Sequence, residues 1–175
     1  EGLLQILKNE DGWEKTREAN ILRNFEFQYN IENIYNSDNS LVDYVRNNYG
    51  LRDSCTSMEQ IEILTIGGST TDQRYVAFED TYQKVMESRL IAMNPNFGCV
   101  TNAGIDGHST WGHIFSFEHW FPLIPNLKPN YVLFYVGIND ANFNRSAGPN
   151  PGFDVVSSPG LKGWLKKFEI VNRLL

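Results

Sequence analysis

The sequence predicts an α/β fold, a parallel sheet with helices on its faces, preceded by a β-rich leader. Three observations carry this. From Ile61 onward, strand, loop and helix patterns recur three times with short connections, the grammar of βα units. Two of the strands, "IEILTI" and "YVLFYVG", are nearly continuous apolar runs, as strands covered on both faces require. Before Ile61 the pattern differs: "FEFQYNI" alternates Phe25, Phe27, Tyr29 and Ile31 with polar residues, the period of a half-buried strand.

In chain order, residues 1–24 mix leucines with charges and read as helical or loosely ordered. "FEFQYNI" is followed by "NSDNS", a turn in which Asn, Asp and Ser satisfy their own backbone, and by "LVDYV", a returning strand. "NNYGLRDS" closes the leader with a glycine bend, which places residues 1–60 apart from a domain spanning 61–175. After the first parallel strand, Asp80 is expected to cap a helix, with Gln83 completing a capping box. Tyr82, Val85, Met86 and Leu90 would form its buried face, and "NPNFG" stops it. "CVTNAG" is a second strand. "STWGHIFSFEHWF" has Trp111, Ile114, Phe115 and Glu118 at helical spacing until Pro122 and Pro125. "YVLFYVG" is expected as a third buried strand. Within "LKGWLKKFEIVNRLL", Leu161, Trp164, Leu165, Phe168, Val171 and Leu175 mark an amphipathic helix, and Lys166–Lys167 its solvated face.

The chain has 175 residues, 41% hydrophobic and 13% aromatic, enough for a core that needs neither disulfides nor metal to hold it. Its formal net charge of −6 argues against a nucleic-acid backbone or an anionic membrane surface as main partner. No apolar run reaches the length of a membrane span. The sequence opens on Glu1, so a natural start and any upstream signal are expected before it. Cys55 and Cys99 have no CxxC spacing; each reads as a buried or idle thiol, with pairing in an oxidising compartment the alternative.

Ligands of open α/β sheets bind at the carboxyl edge of the strands. After the first strand comes "GGSTT", with Ser69; after the second, "NAGIDGHS", with Asn102, Gly104 and Gly107; after the third, "GIND", with Asn139 and Asp140. A hydroxyl on a tight turn, glycine N–H groups and a carboxamide are the groups acyl transfer needs. The serine oxygen attacks a carbonyl, and donors hold the oxyanion, each worth about 3–4 kcal/mol in a dry site. Taken singly, Ser69 would read as a turn residue or helix cap, Gly107 as a turn glycine and Asn139 as an Asx turn. "GGSTT" lacks the spacing and the lysine of a phosphate loop.

"IGGST", "NAGIDG" and "GIND" resemble, in order, the first three blocks of the SGNH (GDSL-like) hydrolases. The resemblance covers Ile61 to about Asn142, and the leader "YVRNNYGLRDS" is similar to the segment preceding a "GGST" serine motif in one subgroup. It implies a flavodoxin-like three-layer α/β/α fold and an esterase, lipase or carbohydrate O-acetyl hydrolase or transferase. Ser69 would be the nucleophile, and the N–H of Ser69, the N–H of Gly107 and the Asn139 side chain the oxyanion hole. Gly68 stands where the commonest version has Asp, and Thr70 where it has Leu, which narrows the subgroup. The family's base is a histidine in a late D-x-x-H block. No histidine follows His119, so the resemblance places the base beyond Leu175 and reads the chain as an N-terminal piece.

The three histidines present take other roles. His108 is expected at the rim, contacting substrate. His113 and His119 are not spaced as a metal-binding pair. Trp111, Phe115, Phe117 and Trp120 are expected to pack under the sheet, and Asp140 to accept structural hydrogen bonds. The expected substrate is a small-molecule or carbohydrate ester, with no cofactor and no metal implied. The alternatives are an O-acetyltransferase acting on carbohydrate, an enzyme completed by another chain, and a non-catalytic binding or scaffold domain that keeps the fold without the base.

Overall fold

The computed structural model describes residues 12–34 and 41–140; the "NSDNS" turn and the helix expected over 161–175 lie outside them. The described residues fall into two units interleaved in sequence. One comprises 22–106 and 124–135; the other holds 12–21, 107–123 and 136–140.

The first unit is a mixed α/β structure. Its leader is an antiparallel pair, β1 (Phe25–Asn30) with β2 (Leu41–Arg46), in a register that sets Phe27 opposite Tyr44 and Tyr29 opposite Val42. Burial alternates cleanly in β2, where Val42, Tyr44 and Arg46 point inward while Leu41, Asp43 and Val45 face out; in β1 the expected alternation is only partial, with Phe25 and Tyr29 half-buried and Phe27 exposed. The sheet that follows is parallel, ordered β4 (Cys99–Asn102), β3 (Ile61–Gly67), β5 (Tyr131–Tyr135). β3 is central, and Ile61, Leu64 and Ile66 join Leu51, Val100, Ala103 and Ile105 in the core. Its helices are the four-residue α2 (Ser69–Asp72) and α3 (Tyr82–Met93).

Three expectations fail in this unit. β5 is not buried: all five residues are exposed, Tyr131 to 64%. The apolar run specifies a strand, but burial needs neighbours, and among the described residues β5 pairs with β3 alone. The cap of α3 is Thr81, whose hydroxyl accepts from the N–H of Lys84, while Asp80 ends a preceding 3₁₀ turn. The buried face of α3 is Gln83 and Glu87, whereas Val85 is exposed. The helix is anchored by hydrogen bonds: Gln83 donates to Thr65 Oγ1 and the Thr71 carbonyl, and Glu87 Oε2 accepts the N–H of Val100 at 2.7 Å.

The cysteines are also not free thiols. Cys55 and Cys99 form a disulfide with their Cα atoms 5.9 Å apart. Its origin is a register. Arg52 and Asn102 exchange backbone hydrogen bonds as an isolated antiparallel bridge, so three residues onward on one side meets three residues back on the other. Those two positions are Cys55 and Cys99.

In the second unit, residues 12–18 form α1 and Thr110–Phe115 form α4, which runs on into a π-helical turn over Ser116–Trp120 and a 3₁₀ turn over Phe121–Leu123. Trp13, Ala19, Ile21 and Trp120 are buried. The inward face of α4 and its extension is Gly112, His113, Ser116 and Trp120. Of the aromatics expected to pack under the sheet, only Trp120 is buried; Trp111 is 54% exposed and Phe117 is also exposed. Among the described residues, no helix is long and apolar enough to cross a membrane.

Candidate functional site

β3 ends at Gly67, and the chain turns through Gly68 into α2, whose first residue is Ser69. Gly67 is required by crowding: a Cβ there would collide with Thr71 Oγ1 and the carbonyl of Tyr135. Gly104 is required in the same way, because a Cβ would strike the Thr71–Asp72 backbone. Ser69 is half-buried. Its hydroxyl and its N–H bond no acceptor or donor among the described residues, the N–H being one of those a helix start leaves open.

From Thr71 onward the turn is held by side chains from elsewhere. Asn102 Nδ2 donates to the Thr71 carbonyl at 2.7 Å and Gln83 Nε2 to the same oxygen at 3.0 Å. Arg52 donates to the carbonyls of Asp72 (3.1 Å), Gln73 (2.8 Å) and Val76 (2.7 Å). The buried carboxylate of Asp72 receives Arg46 Nη2 and the Tyr44 hydroxyl on one oxygen, each at 2.6 Å, and Arg74 Nη2 on the other at 3.0 Å. Arg74 also pairs with Asp106. Burial opposes ionisation of Asp72, but the Arg46 and Arg74 guanidiniums and the Tyr44 hydrogen bond outweigh it and hold the carboxyl below its ordinary range. The Tyr44 hydroxyl is driven up, first by burial.

Gly107, His108 and Asn139 all lie in the second unit, Ser69 in the first. Gly107 has φ +79°, a left-handed conformation that favours glycine, and its N–H bonds no acceptor among the described residues. Asn139 Nδ2 donates to the carbonyl of His108 at 2.8 Å. Asp140 accepts the Thr110 N–H at 2.9 Å and the Thr110 hydroxyl at 3.0 Å, so it caps α4 from another loop, the structural role expected of it. The loops after β4 and β5 are thus pinned to each other by Asn139 and Asp140.

His108 does not stand on a rim. Its ring is 3% exposed, lies against Gly112, where a Cβ would come within 2.6 Å of Cγ, and its Nε2 bonds the carbonyl of Ala19 at 2.7 Å. His113 is buried, and burial lowers its pKa against the pull of Asp140. His119 Nε2 bonds Lys15 Nζ at 3.0 Å. No histidine bonds Ser69, and no group of three metal-ligating side chains occurs among the described residues.

Motif reading missed Arg46, Arg52, Tyr44, Asp72 and Gln83, the residues that grip the serine turn. The only available signal was the pair of arginines in the leader "VRNNYGLR", whose partners lie far along the chain. No protein-family model matches the chain, and neither the curated proteins nor the solved structures compared with it give a match.

Proposed function

We propose that the chain carries the nucleophile of a serine ester hydrolase of the SGNH type, its parallel sheet forming part of a flavodoxin-like three-layer domain. One observation supports this above the others. In a turn where Thr71, Asp72 and Gln73 are gripped by side chains from elsewhere, the half-buried Ser69 bonds nothing through its hydroxyl or N–H among the described residues; its neighbour Thr70 is equally uncommitted but faces solvent.

In the proposed reaction, Ser69 Oγ adds to the ester carbonyl as a histidine base removes its proton. The resemblance assigns the oxyanion to the N–H groups of Ser69 and Gly107 and to the second Nδ2 hydrogen of Asn139. The carbon–oxygen bond to the alcohol then breaks, the histidine returns the proton to the leaving alkoxide, and an acyl-serine remains. Water, or a sugar hydroxyl in a transferase, repeats the sequence and frees Ser69. His108 and His119 are already bonded and His113 is buried, so the base is assigned outside the described residues.

The test is p-nitrophenyl acetate hydrolysis by the protein made from its full reading frame, alongside labelling of Ser69 by an organophosphonate read by mass spectrometry. Turnover and label are expected, and Ser69→Ala should abolish both. Activity equal in wild type and Ser69→Ala would sink the proposal. The committed histidines favour one second reading, a binding or scaffold domain; ester or polysaccharide binding with no turnover would support it.

A further inference from the structure

We propose that Arg46 and Arg52 of the leader are positioning residues for Ser69, a role that rests on the nucleophile assignment above. α2 has four residues, too few for a helix to hold itself. It ends where Gln73 takes a left-handed conformation (φ 50°), so its last carbonyls depend on donors from outside. Asn102 and Gln83 serve the carbonyl of Thr71, and Arg52 serves that of Asp72 and two that follow the helix; a planar guanidinium suits several carbonyls at once, as an ammonium does not. Arg52 bonds the oxygens of Asp72, Gln73 and Val76, with its own plane near the rings of Tyr44 (5.1 Å) and Phe78 (5.9 Å).

Arg46 grips the same helix by its side chain. Its Nη2 donates to Asp72 Oδ1 at 2.6 Å and to the Gly104 carbonyl at 2.5 Å, its Nη1 to the Gly50 carbonyl at 2.6 Å, and its Nε to the Tyr44 hydroxyl. One guanidinium therefore joins the leader bend, the serine turn and the loop after β4. Both arginines are buried, and both stand in the leader, outside the three motif blocks. The leader thus fixes the direction in which α2 presents its first residue, and that residue is Ser69.

The experiment compares Arg52→Gln and Arg52→Lys with wild type in the full-reading-frame protein, by residue-resolved amide hydrogen exchange and by ester kinetics. In Arg52→Gln, the amides of Thr71, Asp72 and Gln73, which bond back to Gly68 and Ser69, should lose about tenfold in protection while those of β3 keep theirs. Arg52→Lys should recover part of it. kcat should fall about a hundredfold at unchanged KM, the signature of a displaced nucleophile. Unchanged protection of residues 71–73, or loss in step with β3, would overturn the proposal, as would wild-type kcat in Arg52→Gln. Wild-type protein without turnover would defeat the hydrolase reading instead, and the exchange result would still decide whether Arg52 holds the turn.

Discussion

Asn139 donates its side-chain amide to the carbonyl of His108 at 2.8 Å, so the group assigned to an oxyanion also ties two loops together. A carboxamide nitrogen has two hydrogens, and one contact does not exhaust it. Asn139→Ala should lower kcat for ester hydrolysis by about 10²–10³-fold, the cost of one oxyanion donor. Its effect on stability should be near the worth of one hydrogen bond, about 1 kcal/mol. Parallel kinetics and urea denaturation check this; a large stability loss with unaltered kcat would leave Asn139 only its structural tie.

Asp53 and Asp72 contribute to the pH dependence of stability with opposite signs. Burial pushes the Asp53 carboxyl up to about 6, against hydrogen bonds from Asn47, the Cys55 N–H and Thr101. The unfolded chain releases this proton near pH 3.9 while the folded chain holds it, so folding loses stability as pH rises from about 4 through about 6, by on the order of 3 kcal/mol. Asp72 works the other way: its depressed folded-state pKa stabilises above the unfolded value and is lost as pH falls through the folded one. Asp53→Asn should therefore raise the urea midpoint at pH 7 and leave it little changed at pH 4. An equal shift at both values would show that Asp53 titrates alike in the two states.

Glu87 completes an edge of the sheet, its Oε2 accepting the Val100 N–H at 2.7 Å and its Oε1 pairing with Lys84. Glu87→Ala leaves a buried N–H without an acceptor and should cost about 1–3 kcal/mol. Glu87→Gln keeps a carbonyl oxygen there and should cost clearly less. Equal losses in urea denaturation would remove the acceptor role.

The contrast between Glu87 and Leu64 shows what the sequence made legible. The strands of the described residues lie where the sequence reading placed them, because local side-chain pattern determines which backbone state can bury a face. The position of Ser69 after β3 was legible for the same reason, and so was the turn at Gly107, since few residues other than glycine adopt its φ. Burial was less so. The apolar residues of α3 pointed to Val85, yet the helix is held by Gln83 and Glu87, whose acceptors and donors lie in β3, α2 and β4. Likewise the grip of Arg52 on α2 and the burial of His108 against Gly112 are long-range pairings with no periodic trace.

The Cys55–Cys99 disulfide should be a substantial part of the stability of its unit. It closes a loop of 44 residues, for which the chain-entropy treatment gives about 4 kcal/mol. The bridge between Arg52 and Asn102 holds the two segments in register without it, so the reduced protein should keep its fold and unfold at lower urea. Disulfides persist where the surroundings oxidise, and the pairing points to such a compartment. Thiol titration in denaturant should find no free thiol in protein purified from an oxidising compartment, and two after reduction, since the chain has 2 cysteines. Cys55→Ser with Cys99→Ser should lower the urea midpoint to that of the reduced protein. Two titratable thiols before reduction, or a double variant as stable as the oxidised wild type, would show that the register alone does the holding.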